Sequence, residues 1–533
     1  MEENVNPYDS ASDESPLSTD APRRGLSVWD ASSIVVGTII GAAIFVLPPL
    51  VAMQVTSLFW FVLAWVAGGA IAFCGAVCFA ELTTAYNQDG GDYIYLRHAF
   101  GRYVAFLFAW TAGWIIRPAN IAAMAVTFAM FAQQAIPALQ RPDSPTQSQW
   151  ITIAMAMLAV VLLAGLNLRG IQFGRVTQNV LTTSKVLGLL LLVLIGFSWT
   201  SNSRPESSAE INVAVQESVA EDLESQEAAN QSPIAEAEES AAPPSQSVSG
   251  FLMALVFVLY TFGGWNDVSF VAAEVKDPKR NLPRALLLGL GIVTLVYLLV
   301  NAALISNLGL NGLQTTDNAP AAVVSGQMNA WGFGDRVTML LGLLVSVSCL
   351  GAVNAMLITS PRIYYAAGRD HRWLAWFAQW DHQTETPTRA LVAQTVATLL
   401  MLAICAGLNS SVMEQLGWSG IFKEANPFEE LVTVSSPFFW LFLALVGIGL
   451  IVLRQTDAQR SRPVRAWGYP VTPLIFIGSS LFMCYSSVNY AVFVKQYLVS
   501  GGIIVAIFLV AVLFGATGFH RSPPTKSATN QIN

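Results

Sequence analysis

Two long apolar segments of this chain are each interrupted in the middle by glycine, and that interruption limits what the chain can fold into. The first, residues 26 to 53, breaks at Gly37-Thr38-Ile39-Ile40-Gly41 and resumes through Ala42, Ala43, Ile44 and Phe45. The second starts in FLMALVFVLY (251 to 260), carries Gly263 and Gly264 at its centre, and continues to a basic segment closed by Asn281-Leu282-Pro283. In lipid every backbone donor and acceptor must be paired, so a broken helix at membrane depth survives only where protein packs around it or where it lines a polar cavity. Each break is therefore a candidate binding site.

The apolar context is set by composition. At 54% hydrophobic and 11% charged residues the chain is a polytopic membrane protein rather than a soluble globule. In such proteins two glycine-interrupted spans in corresponding positions point to the midplane site of a secondary transporter. The net charge of -7 says nothing about partners, because residues 200 to 249 hold ten acidic residues against a single basic one, Arg204. The rest is slightly positive, and no nucleic-acid partner is indicated. Cys74, Cys78, Cys349, Cys405 and Cys484 all fall inside apolar runs and make no extracellular disulfide framework. Cys74 and Cys78 lie on one helix without a His or carboxylate beside them, as small packing residues do. His98, His371, His382 and His520 show no metal-ligand or nucleophile spacing, so an enzyme is not expected, and neither is a metal or a cofactor.

Runs that approach the length needed to span number twelve: about 26–53, 58–80, 102–131, 150–166, 176–198, 250–273, 283–306, 337–361, 389–409, 431–453, 470–490 and 498–518. With both termini cytosolic, twenty of the 27 lysines and arginines fall in cytosolic tails and loops, as the positive-inside rule requires. The acidic start, residues 1–25, reads as a disordered cytosolic tail and not a signal peptide. Helices 1 to 5 occupy 26–198, an acidic insert 199–249 is expected to be extracellular and disordered, and helices 6 to 10 occupy 250–453. A cytosolic loop with helices 11 and 12 fills 454–518, and 519–533 is a second cytosolic tail.

Several motifs now make the chain recognisable. GTIIGAAIF (37 to 45), GGDYIYLRHAFG (90 to 101), Arg117-Pro118, LNLRGIQFGRVTQNVLTTSK (166 to 185), GGWNDVSFVAAEVKDPKRNLPRA (263 to 285), NAMLITSPRIYYAAGRD (354 to 370) and RPVRAWGYPVTP (462 to 473) follow one another in the order and spacing of the amino acid, polyamine and organocation (APC) superfamily. Over about residues 26 to 490 the chain resembles its L-type amino acid transporter-like permeases. The resemblance implies an all-α polytopic membrane protein of twelve transmembrane helices, a five-plus-five inverted repeat with helices 1 and 6 unwound, and no cofactor. Animal members are joined to a single-span partner through a cysteine between helices 3 and 4. Residues 133 to 150 contain none, so no disulfide-linked heavy chain is expected.

An amino acid presents a carboxylate and an ammonium, and broken helices offer complementary ends. Amides near Gly41, Ala42 and Ala43, at the start of the second half of helix 1, are expected to receive the carboxylate. Carbonyls at the end of its first half, at Thr38 and Ile39, and around Tyr260 to Gly263 are expected to receive the ammonium. The family often has Ser and Gly where this chain has Ala42 and Ala43, which removes a hydroxyl contact and narrows the approach. By the resemblance Tyr260 is an aromatic gate and Asn266 a polar contact, while Trp265 and Trp440 could close over an apolar side chain or be ordinary core aromatics.

Three charges are expected to be buried within spans. Lys185 in helix 5 is costly enough to be functional. The resemblance implies that its ammonium takes the place of a bound sodium ion, with Ser346 or Ser348 and helix 1 carbonyls as partners; snorkelling to the interface is the alternative. Arg117 is expected to pair with carbonyls. Asp267 could bind a cationic substrate, relay a proton or pair with a polar neighbour, and Glu274 could join a cytosolic arginine as an inner gate. The resulting expectation is a sodium-independent plasma-membrane permease for neutral amino acids, an exchanger or proton-coupled, working by alternating access. The alternatives are a polyamine or cationic amino acid transporter and a non-transporting sensor.

Overall fold

A computed structural model describes residues 23–139, 145–198, 247–316, 318–330, 336–408, 427–495 and 498–516. The insert expected at 199–249 and both tails lie almost wholly outside these residues. Seventeen helical segments matter below. They are α1 (Val28–Ile39), α2 (Ala43–Met53), α3 (Leu58–Ala85), α4 (Asp92–Phe100), α5 (Arg102–Ala135), α6 (Pro145–Leu168), α7 (Ile171–Ser198), α8 (Val248–Thr261) and α9 (Trp265–Glu274). After them come α10 (Pro278–Thr315), α11 (Ala319–Ala330), α12 (Val337–Thr359), α13 (Pro361–Asp370), α14 (Thr388–Leu408), α15 (Pro427–Thr456), α16 (Val471–Asn489) and α17 (Leu498–Ala516). Among the described residues no sheet forms; two isolated bridges, Leu26 with Val275 and Asp381 with Thr386, are the strand-like contacts.

Nine of the described helices are long and apolar enough to cross a membrane, and α1 with α2, bent by 48°, makes a tenth such span. The other two expected spans coincide with shorter apolar helices, Thr388–Ile404 and Ile504–Leu513. This is a multi-pass membrane protein.

The spans turn their polar residues inward. On α7, Gln178, Thr182 and Lys185 are buried at spacings of four and three, while Leu187, Leu191 and Leu194 point outward. Such a helix buries a polar stripe and gives its leucines to lipid, the reverse of a soluble amphipathic helix. Helix α1 is set at its start by a capping box in which Ser27 Oγ accepts from the Asp30 amide at 3.2 Å and the Asp30 carboxylate accepts from the Ser27 amide at 2.9 Å. It is enclosed by α7, α9, α10 and α12.

Both glycine breaks are real interruptions of helix. α1 ends at Ile39 and α2 begins at Ala43; α8 ends at Thr261 and the short 3-10 segment α9 begins at Trp265. Gly264 takes φ +101°, a left-handed backbone that side chains disfavour. At the end of the bundle that carries the start of α1 the protein is sealed. There the Leu26 amide donates to the Glu274 carbonyl at 3.0 Å and the Lys276 amide to the Leu26 carbonyl at 2.8 Å. Arg362 donates to the Glu274 carboxylate from Nε at 2.7 Å and from Nη2 at 3.0 Å, with both side chains buried.

The break at Gly264 gives a direct test. A Cβ there would lie 3.3 Å from both the Thr38 side chain and the Thr38 carbonyl oxygen, so Gly264→Ala is expected to cost at least about 1–2 kcal/mol from backbone strain. Gly291→Ala, in the interior of α10 with nothing within 4 Å of its Cβ, is expected to be neutral or stabilising. Thermal unfolding of the two purified variants in detergent checks this, and equal melting temperatures would refute it.

Candidate functional site

The two breaks face each other across a cavity of about 150 Å³. α1 and α2 contribute Thr38, Ile39, Gly41, Ala42 and Ala43, and α8 with the following turn contributes Tyr260, Thr261, Gly263 and Gly264. Asp267 of α9 and Trp440 of α15 complete the residues expected from sequence that line it. At the first turn of α2 the leading amides have no carbonyl one turn behind them, which makes this an anion-receptive end. Gly41 differs from expectation here, because its amide already donates to the Ile39 carbonyl at 3.0 Å. The receptive amides are therefore those of Ala42 and Ala43.

Other expected contacts sit elsewhere. Asn266 does not line this cavity; it is buried, and its Nδ2 donates to Asp92 Oδ2 at 3.0 Å. The tight turn at Gly263-Gly264 and the 3-10 winding of α9 rotate it toward α4. Trp265 packs into the notch at Gly75, where a Cβ would come within 2.5 Å of its ring, and stands edge-on to Phe79 with centroids 4.9 Å apart. It is a core aromatic. Sequence reasoning missed Asn120 and Met124 of α5, Met356 of α12, and Ser435, Ser436 and Phe439 of α15, all of which line the cavity. Asn120 carried a signal, since it falls three residues after Arg117 on one helix face. The α15 residues carried none, because only the fold brings that helix to the breaks.

Lys185 is fully buried, which removes snorkelling. Its ammonium donates to the carbonyls of Gly37 (2.9 Å), Ile40 (2.7 Å) and Ser348 (3.1 Å). The Ser348 hydroxyl reaches the same break on its own, 3.1 Å from the Ile40 carbonyl and 2.9 Å from that of Gly41. Ser346 is not a partner of the lysine; its hydroxyl donates to the Phe128 carbonyl at 3.3 Å. Lysine and serine thus satisfy the carbonyls freed by the break in α1.

Arg117 pairs with a carboxylate and not with the expected carbonyls. A π-type turn at Ala112–Ile116 precedes it in α5, and its Nη1 lies 2.7 Å from Asp267 Oδ2. Thr359 Oγ1 donates to the same oxygen at 3.3 Å, and the guanidinium stands over the Phe270 ring at 4.9 Å. Both side chains line the cavity, and Asp267, its one acid among the described residues, is already paired with Arg117.

A family profile described as amino acid permease matches residues 26–523. The chain belongs to the amino acid permease family. Its members are transporters, not enzymes. Among curated proteins the chain is similar to the b(0,+)-type amino acid transporter 1 of Mus musculus, with 26% identity over 471 residues, covering 88% of this chain and 83% of the relative. It is also similar to the large neutral amino acids transporter small subunit 2 of Homo sapiens, with 27% identity over 470 residues and coverage of 86% and 75%.

Lys185→Met keeps the length and removes the three donors. Each carbonyl left without its partner costs about 1–3 kcal/mol, partly offset because an ammonium no longer has to be desolvated. The variant is expected to melt lower than the native permease and to lose substrate transport. Unchanged melting and uptake would show that the ammonium does not hold the break.

Proposed function

We propose that this permease moves neutral amino acids across the plasma membrane by alternating access, without sodium. The observation that carries the reading is a cavity formed between two broken helices, whose only acidic side chain among the described residues, Asp267, is already bound by Arg117. The zwitterion common to amino acids needs one receptive end for each charge. The first-turn amides of α2 suit the carboxylate, and carbonyls of Thr38 and of the α8 end suit the ammonium.

Selection follows from the remaining wall. Ile39, Ile116, Met124, Met356, Phe439 and Trp440 make it apolar, with Asn120, Ser435 and Ser436 as polar interruptions. A substrate with a second positive charge would have to compete with Arg117 for Asp267, at a contact of 2.7 Å. That disfavours polyamines and cationic amino acids. One relative's name specifies large neutral amino acids and supports the neutral class, while the b(0,+)-type name covers cationic as well as neutral ones and supports only amino acids in general.

Sodium independence rests on Lys185. A positive charge fixed on the Gly37, Ile40 and Ser348 carbonyls occupies the seam between α1 and α12, and a second cation there would be repelled. The twelve-helix count, the five-plus-five inverted repeat and cytosolic termini belong to this reading, as does the absence of a disulfide-linked heavy chain. Alternating access would open the sealed end by parting Leu26 from Val275 and Arg362 from Glu274.

The test is uptake of labelled leucine, threonine, arginine and putrescine into proteoliposomes, with sodium present and absent. Leucine and threonine are expected to enter equally in both media. Uptake confined to arginine or putrescine would overturn the substrate class. Asp267→Asn would leave Arg117 buried without its partner, at about 3–5 kcal/mol. It is expected to depress uptake of all substrates alike, whereas selective loss of arginine uptake would make Asp267 a substrate ligand.

A further inference from the structure

Behind the cavity wall lies a group of charges that does not balance. α5 supplies one guanidinium, Arg117, and two carboxylates share its surroundings: Asp267 of α9 and Asp92 at the start of α4, both buried. The guanidinium is committed to Asp267 at 2.7 Å. Asp92 receives a neutral donor, Asn266 Nδ2, on Oδ2, and its Oδ1 meets no donor. Asp267 Oδ1 is likewise buried and without a donor. Two buried carboxylates share one guanidinium, and a buried carboxylate left without a cation is neutralised most readily by a proton.

We propose that Asp92, Asp267 and Arg117 form the binding site of one transported proton, taken from the cavity at Asp267 and stored at Asp92. The proposal rests on the transport reading and names its coupling ion. Asn266 immediately precedes Asp267 on α9, and its bond to Asp92 holds the stored acid against the segment that carries the cavity acid. The two carboxyl groups titrate as a unit, since a proton on either frees the guanidinium charge for the other.

The other groups around the site do not supply the missing charge. Tyr95 of α4 and Tyr364 of α13 face Asp92 and Arg117 as neutral phenols, and the Tyr364 hydroxyl is engaged by the Gly113 carbonyl. Thr359 of α12 donates to Asp267. The next cation, Arg362 of α13, is spent on Glu274 of α9, with Asp89 adding another carboxylate beside that pair. Asp92 belongs to the short helix between spans, and burial pushes its carboxyl up to about 7, with Asp267 reinforcing and Arg117 opposing the rise.

The direction of coupling follows. In the sealed state Asp92 holds a proton up to about 7. Parting α9 from α4 would expose it to water, where a carboxyl releases its proton above about 4. The sealed state therefore loses its advantage as pH rises between those values, and opening delivers the proton with the substrate. No bond other than the carboxyl O–H forms or breaks.

The experiment uses the full chain in proteoliposomes that contain a pH-sensitive dye, with an inside-negative potential and external leucine, and with leucine counterflow measured in parallel. The wild-type permease is expected to acidify the lumen only when leucine is added. Asp92→Asn is expected to lose acidification to the background of empty vesicles while still catalysing counterflow. Counterflow by the wild type without acidification, or acidification by Asp92→Asn, would overturn the proton site and leave amino acid transport standing. If no solute tested shows counterflow, the transport reading itself fails. Should Asp92→Asn lack counterflow, Asp92→Glu decides: acidification with a displaced pH midpoint supports the site, and an unchanged midpoint overturns it.

Discussion

A helix broken inside an apolar bundle leaves carbonyls and amides that lipid cannot satisfy, and the arrangement of the neighbouring helices answers that demand. The break in α1 is held by Lys185 from α7 and Ser348 from α12, which between them cover the carbonyls of Gly37, Ile40 and Gly41. A single phenol on α10, Tyr297, stands 3.2 Å from the Ile39 carbonyl and 3.3 Å from that of Thr261. It ties the break in α1 to the break after α8.

The same economy of partners governs the charges. Every fully buried cation described above is committed: Lys185 to carbonyls, Arg117 to Asp267, Arg362 to Glu274. Buried ion pairs of this kind contribute little net stability, but losing one partner is expensive. Both acids of α9, Asp267 and Glu274, are thereby fixed to neighbouring helices, so that movement of α9 has to break or carry ion pairs. Among the described residues, Asp92 and Asp89 are buried carboxylates that no cation pairs, and the bond from Asn266 to Asp92 links that surplus to α9.

Much of this was legible in residue order. The glycine breaks could be located because Gly37, Gly41, Gly263 and Gly264 interrupt otherwise continuous apolar runs, and Lys185 was conspicuous because an ammonium inside a span has no cheap alternative to a polar partner. The partner itself was half legible: helix 1 carbonyls followed from the break, but which serine of α12 approached them depended on helix rotation, and that favours Ser348 over Ser346. Arg117 and Asp267 were each visible as buried charges, yet 150 positions separate them, and nothing local says that they meet. Asn266 was misplaced by one side of a helix because α9 winds as a 3-10 segment, which turns its side chains by a different angle per residue than an α-helix.

By itself the sequence determined that this chain crosses a membrane many times, that two of its spans cannot be continuous helices, and that it shares the motifs of amino acid permeases. Those properties depend on composition and on short-range backbone chemistry, which residue order encodes directly. The tertiary structure alone decided which carbonyls Lys185 binds, that Arg117 neutralises Asp267, that α15 supplies a wall of the cavity, and that Asp92 is left without a cation. The physical reason is that inside lipid the hydrophobic effect no longer ranks one helix face against another; the packing of polar groups against distant partners does, and those partners are fixed only when the helices have assembled.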